Sequence, residues 1–431
     1  MVFWNRFVLI AILCTFTAPF LHAQWGGTLT LGSGYSDNIF GTSLPSAASM
    51  QDADLAFGYF AESGRWAAGY TGAFTQVPAF PDRQFATHGL ALSIVQPLDS
   101  EETSSLSFFA SGNSRLGRDA FALFDYSQFL ASAGYRDTYG DIIGFRAAYR
   151  ARYRTYPSFQ ELGYFEHLAT LGGNTSLESG TSFDLELSLG IKNYANETAA
   201  PTTAASSPAS TVASGLLVDG GGPGGGGGGG GNGGGNGGGN GNGGNGSGNG
   251  TGEHSGGTTI PVLVSDKTQG VQLSGAVNIA QSLTESTGLS LRYRYRANLS
   301  EQGSVFIAGW TEYGGDDELS DDPYTYSGHE AALTLTQILP WTMKLQLAGF
   351  IRDKRYYYPS SLDPVLGGPD RRDIRSGFSA GIEKSFEAGW IFVENLTVAL
   401  DYQFARNQSN TAAFDYSMHG AVCTVEMGLG F

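Results

Sequence analysis

Cysteine and long hydrophobic runs are what this chain has least of. Of 431 residues only Cys14 and Cys423 are cysteine, and Cys14 lies inside the N-terminal apolar run Phe7 to Phe16. With that run removed, Cys423 stands alone and no internal disulfide can brace the fold. The run itself is shorter than the roughly 20 apolar residues that a transmembrane helix needs. Beyond Ala23 no stretch is apolar enough to make one, and the mean hydropathy is only −0.14. A helical membrane protein is therefore excluded. Basic residues are also scarce, 24 Lys and Arg against 40 Asp and Glu, for a net charge of −16. A general nucleic-acid binder should be basic, so no nucleic-acid partner is expected. Signatures of chemistry are missing too. No Gly-x-Ser-x-Gly elbow or paired-His motif accompanies the histidines, no metal-ligand spacing appears, and the glycine tract has no Lys-Ser/Thr ending. No catalytic residue, cofactor or metal is expected.

What the chain does have begins with Asn5 and Arg6, the apolar run, and small and polar residues ending in Leu21-His22-Ala23. This predicts a secretory signal peptide over 1–23 and a mature chain of 24–431. Aromatic residues are abundant, 21 Tyr and 27 Phe against 5 Met, which favours strands. The stretch Gly144 to Arg154, GFRAAYRARYR, shows the governing pattern. In an extended strand Phe145, Ala147, Tyr149, Ala151 and Tyr153 take one face, and Arg146, Arg150, Arg152 and Arg154 the other. Such a strand suits a wall with lipid on one side and water on the other. Thr181 to Asn193 and the core of Thr287 to Asn298, LSLRYRYRA, repeat the period of two.

Segments of about 10 to 14 residues alternate in this way along the mature chain, separated by gaps that are short and long in turn. That is the pattern of an antiparallel up-and-down transmembrane β-barrel, with short periplasmic turns and long extracellular loops. Nine such segments precede the interruption at 194–265 and seven follow it, which predicts about 16 strands, within a range of 14 to 18. The interruption is rich in Ala, Thr, Ser and Pro and then becomes a Gly/Asn tract from Gly220 to Gly257. Glycine buries too little surface to offset its ordering entropy, so this extracellular insertion is expected to be disordered, with a reach of roughly 45 Å. Two rival architectures remain. Two linked domains would require each odd-numbered half to close alone, and a soluble β-sandwich would have to find a core for every row of Leu and Tyr.

The last residues, Ala421 to Phe431, read AVCTVEMGLGF. They resemble the terminal strand of Gram-negative outer-membrane β-barrel proteins, which finish on Phe with apolar residues at every second position upstream. Phe431, Leu429, Met427, Val425 and Cys423 form that row. The match departs where Leu429 replaces a second aromatic and Glu426 a glycine. The resemblance, to porin-type or exopolysaccharide-exporter-type barrels, implies an outer-membrane location and recognition of Phe431 by the barrel-assembly machinery. It also implies outer-membrane lipid and lipopolysaccharide as surroundings. Trp341, Trp390 and Phe392 at periplasmic turns, and Tyr356, Tyr357 and Tyr358 where a strand leaves the membrane, fit interfacial girdles.

If apolar residues face lipid, the opposite parity lines the lumen. That row contains the cations Arg146, Arg150, Arg152, Arg154, Arg292, Arg294, Arg296, Lys344, Arg352 and Lys354. It contains the acids Asp184, Glu186, Glu330, Glu383, Asp401 and Glu426. Most of the cations fall at mid-height or above, and Asp184, Glu186, Glu383 and Glu426 near the periplasmic end. The arginines can conduct or hold anions, or can brace the wall against acids such as Glu330 and Asp401. The run Asp316, Asp317, Glu318, Asp321 and Asp322 reads as a solvated acidic loop, with divalent-cation binding as the alternative. Among the histidines His329 is the one with acids, Asp321 and Asp322, shortly before it at the outer rim. The function expected is a porin-like channel for small hydrophilic solutes with a lean toward anions. The alternatives are an exporter barrel for an acidic polysaccharide, or a plugged structural or adhesive barrel.

Overall fold

Alternation of apolar and polar residues is followed by the backbone through strand after strand. The computed structural model describes residues 24–430 apart from 195–261, 264–268, 301–305, 308–321, 360–369 and scattered single or paired loop positions. The expected signal peptide, the glycine tract, Asp316, Asp317, Glu318, Asp321 and Phe431 lie outside the described residues. The first nine strands are β1 (Gln24–Ser36), β2 (Ala48–Phe60), β3 (Trp66–Gln76), β4 (Phe85–Pro97), β5 (Ser104–Gly117), β6 (Tyr126–Tyr139), β7 (Ile143–Thr155), β8 (Tyr164–Ser176) and β9 (Thr181–Tyr194). Then come β10 (Val262–Leu263), inside the insertion, and after it β11 (Gln269–Thr284), β12 (Thr287–Asn298), β13 (Phe306–Ile307), β14 (Tyr326–Ile338), β15 (Lys344–Pro359), β16 (Asp370–Glu387), β17 (Val393–Ser409) and β18 (Tyr416–Gly430).

Sixteen of these close into one antiparallel barrel, each strand pairing with its neighbours in the sequence of barrel strands. The first strand closes on the last over Gly26↔Gly430 to Ser36↔Gly420. Closure leaves no unpaired edge and rules out both the sandwich and the pair of separate halves. Short turns gather at one end. Gly64 and Gly180 carry φ of +67° and +75° there, a left-handed conformation open to glycine at low cost. Trp341 adopts φ 61° in the short turn Pro340–Thr342 and is 76% exposed, so the turn holds its ring outward at that rim.

Some strands run further at the long-loop end than the sequence pattern predicts. β5 extends beyond Gly112 to Gly117 because Asn113 and Arg115 continue the inner row, Arg115 lying 4.0 Å over the Phe85 ring. β15 extends beyond Arg355, and this reverses one expectation about the girdle. Tyr356 is buried, with the Arg371 guanidinium over its ring at 4.3 Å, because alternation turns it inward rather than toward lipid. Within the insertion, the short apolar run around Val262–Leu263 pairs with Phe306–Ile307 in a two-residue ladder separate from the barrel.

Buried residues concentrate at the long-loop end. Ile39, Ala48 and Val77 form one small cluster with Met50 and Phe80 against it, and Ala405, Tyr416 and Met418 form another with Phe350. Among the described residues the wall has two faces, and the buried apolar clusters lie at its long-loop end rather than in a central core.

Candidate functional site

Side chains on the concave face of a barrel converge, and those on the convex face diverge. Arg146 on β7 reaches across β8 to β9, donating to Asp184 at 2.5 and 3.0 Å and to Glu186 at 3.3 Å. Contacts that skip a strand identify this as the inner face. The opposite parity carries Leu31, Leu90, Phe129, Leu185, Leu333 and Leu400, exposed by 44 to 67%. Continuous rows of that kind on a closed barrel are a lipid-facing surface. By cross-strand register all ten predicted cations and all six predicted acids have the inner parity.

The structure pairs some of them. Glu166 takes Arg152 at 2.7 Å and lies 3.9 Å from Arg150, Arg352 lies 3.4 Å from Glu330, and Lys344 lies 3.3 Å from Glu383. Arg154 donates to Gln128 at 2.9 Å and lies 4.1 Å over the Tyr126 ring. Asp401 and Glu426 share the face, yet among the described residues no cation stands within ion-pair distance of either. Bracing therefore holds for Glu330 and not for Asp401.

Cations outnumber acids most clearly between β12 and β16. One cross-strand row reads Arg294, Glu330, Arg352, Arg375, and the next row outward reads Arg296, Gly328, Lys354, Asp373. Asp373 is already engaged by the buried guanidinium of Arg371. A recess in this wall is lined by Arg294, Arg296, Tyr326, Glu330, Arg352 and Lys354. Arg296 donates to the Tyr326 hydroxyl, and the Lys354 ammonium lies 4.7 Å over the same ring. Arg352 directly faces Arg375, and like charges so placed are unfavourable unless an anion intervenes.

A second feature was not legible as a unit in the sequence. The long loop after β12 returns inward through Asp322 and the short 3-10 turn Pro323–Thr325 before β14 begins. Asp322 accepts from Lys192 Nζ at 2.7 Å and from the Tyr194 hydroxyl at 2.5 Å, and caps the Tyr324 amide at 3.0 Å. Tyr324 donates to Glu166 at 2.8 Å, while Asn298 donates to the Tyr324 carbonyl at 2.8 Å and Gln272 to that of Pro323. Burial and the nearby Glu166 carboxylate push the Tyr324 phenol far above its ordinary range, so it stays a donor. Two inner-face glycines, Gly190 and Gly270, clear the bed in which this ring lies. A side chain at Gly190 would occupy the space of the Tyr324 hydroxyl. Gly190→Leu is expected to unseat Tyr324 from Glu166 and to cost about 1–3 kcal/mol in urea unfolding of the detergent-folded barrel. Unchanged stability would contradict that packing.

Asp322 is thus buried in an ion pair and does not belong to a solvated loop. Its separation from His329 is also decided by the wall. His329 lies on the outer face, bonded to Tyr293 at 2.8 Å, whereas Asp322 is held on the inner face, so the two do not form an acid–base pair. Glu166 has no sequence signal, since a lone acid between Phe165 and His167 carries no pattern of its own. The inner-face glycines were the available signal for an inward segment.

No family model and no curated protein sequence matches the chain. Among solved structures it is similar to OccAB1 of Acinetobacter baumannii, at 10% identity and a TM-score of 0.49 over 95% of this chain and 97% of that one. It is similar to OprD of Pseudomonas aeruginosa at 9% identity and a TM-score of 0.45, over 94% and 95% of the two chains. A structure described as a bacterial polysaccharide outer membrane secretin gives 7% identity and a TM-score of 0.41 over 94% and 98%. The architecture stands on the chain's own geometry: an even number of antiparallel strands, full closure, an apolar outer wall, a charged inner wall, and turns short at one end and long at the other. The chain is a closed sixteen-stranded antiparallel β-barrel with the two-faced wall of a membrane-spanning barrel.

Proposed function

We propose that the barrel is a channel for hydrophilic solutes, that it favours anions, and that the segment Asp322–Thr325 narrows it near the outer end. The observation that carries the anionic preference is the row Arg294, Glu330, Arg352, Arg375, in which three cations face one carboxylate on the inner wall. Solute passing that wall exchanges water for fixed guanidinium donors, which favours carboxylates and phosphates over cations. Lower down, Asp184 and Glu186 hold Arg146, so the wall is most basic toward the outside.

Planar-bilayer recording of the purified barrel under a potassium chloride gradient tests this. The expected result is a stable open-channel current whose reversal potential shows chloride more permeant than potassium. A potassium-selective current would end the anionic reading, and no current from folded protein would end the channel reading. The inward-pinned segment favours one second reading, a barrel plugged at its outer mouth that acts as a surface scaffold. Under that reading folded protein conducts nothing, and releasing the segment opens it.

A further inference from the structure

Four histidines on the outer face share one geometry. His88, His167, His329 and His419 each bond through Nδ1 to a tyrosine hydroxyl of the preceding barrel strand: Tyr70 at 2.8 Å, Tyr149, Tyr293 at 2.8 Å and Tyr402 at 2.7 Å. Each tyrosine faces the residue two positions beyond its histidine, namely Leu90, Ala169, Ala331 and Ala421. The pairs bridge β3/β4, β7/β8, β12/β14 and β17/β18, that is, every fourth barrel strand. In each case the histidine is the fourth residue of its strand, counted from Phe85, Tyr164, Tyr326 and Tyr416.

Register places three successive intervals at one height. The cross-strand row from His88 reaches β7 at Thr155, four residues outward of Ala151, which faces His167. The row from His329 reaches β17 at Gln408, again four residues outward of Phe404, which faces His419. The row from His167 reaches Val271, which accepts from the Leu299 amide, four residues beyond Tyr295 opposite His329. A rise of about one residue per strand is what the tilt of barrel strands imposes on such rows, so the histidines lie on a near-horizontal ring.

That ring marks the edge of the hydrocarbon. Asp353, on the outer face of β15, directly faces His329, and Arg372 binds it through two bonds of 2.9 and 2.7 Å. Charges on the lipid side are tolerated near the interface and not at mid-membrane. Among the described strand residues, the outward charges at or beyond the ring are Asp353, Arg355, Asp370, Arg372 and Arg406, all on β15 to β17. Arg355 faces Arg372, whose charge is taken by Asp353, and Asp370 lies two residues further out. Arg355 and Arg406 are exposed and have no acid within ion-pair distance among the described residues. His419 and His329 flank this arc.

We propose that the outer face of β15 to β17 binds the phosphate-bearing headgroup of an outer-leaflet lipid. Arg355 and Arg406 supply the charge-assisted donors, and the Tyr–His ring below them sets the depth at which the acyl chains begin. The arc is uneven around the barrel, so it marks one lipid position rather than a general girdle. The inference rests on the outer-membrane location and not on the channel reading.

The full barrel, folded in detergent, is exposed to phosphatidylcholine vesicles carrying either a bisphosphorylated glucosamine lipid or the same lipid without its phosphates. Lipid retained after detergent exchange is counted by native mass spectrometry. The phosphorylated form is expected to be retained about tenfold more strongly, and Arg355→Gln/Arg406→Gln is expected to abolish that preference. Lys384→Gln, an outward cation at the opposite end, should leave it unchanged. Arg372 stays in place in these variants, so the Asp353 pair and the fold persist, which heat-modified electrophoretic mobility verifies. Equal retention of both lipids by the native barrel overturns the proposal, and so does a preference that survives in the double variant. Conductance of the double variant should equal that of the native protein, so failure here is separable from failure of the channel reading.

Discussion

Asp322→Ala is expected to raise the mean conductance of the barrel, or to open a plugged one, while leaving the sixteen-stranded wall intact. Lys192 explains the size of the effect. Its side chain is 2% exposed, its ammonium lies 3.8 Å from the centre of the Tyr164 ring, and Asp322 is 2.7 Å away. Removing one partner of a buried ion pair costs about 3–5 kcal/mol because the other charge is left in a poorly solvated site. Glu166 lies beside Lys192 in the cross-strand register and offsets part of that cost. The remainder falls on the docking of Asp322–Thr325, which also loses its cap on the Tyr324 amide. Hydrogen bonds between strands do not involve this segment, so the barrel survives its release. Urea unfolding of Asp322→Ala, Lys192→Met and the double variant measures the coupling. A coupling of about 2 kcal/mol or more, with increased conductance in Asp322→Ala, is the expected result. Additive losses with unchanged conductance would show that the segment neither depends on the pair nor narrows the path.

Reversing the basic row should have the other large effect. In Arg294→Glu/Arg352→Glu the row from β12 to β16 would read three carboxylates facing Arg375 in place of three cations facing Glu330. The permeability ratio of chloride to potassium is expected to fall by about tenfold or more, equivalent to about 1.4 kcal/mol of changed interaction in the lumen. Screening supplies a second check. At about 0.1 M salt the Debye length is about 10 Å and the wall charges reach well into the lumen, whereas at about 1 M it is about 3 Å. The difference between native and reversed barrels should therefore shrink steeply as salt rises. Arg294→Gln should fall between the two. A reversal potential indifferent to both variants would place the selectivity filter elsewhere and leave the arginines as bracing.

The sequence by itself determined the wall. A period of two needs no tertiary information: in GFRAAYRARYR each residue's face follows from its own strand, and the same parity puts the ten cations and six acids read as lumen-lining on one face of their strands. The number of strands followed as well, because turns and loops are written in local composition. Only the tertiary structure decided which charges meet and where the wall is crossed by a loop. Tyr324 and Glu166 are 158 residues apart, and Lys192 and Asp322 are 130 apart. Their meeting depends on the cross-strand stagger that accumulates as the barrel closes, which no short window contains. Alternation turned His329 outward and, continued past Arg355, Tyr356 inward, while the stagger buried Asp322, part of what read as a solvated acidic run, against Lys192 on the inner side. It also gathered four tyrosine–histidine diagonals, unremarkable one by one, onto a single level. Local alternation specifies which side a residue faces. Height and neighbours come from closure, since only closure fixes the register of all sixteen strands at once.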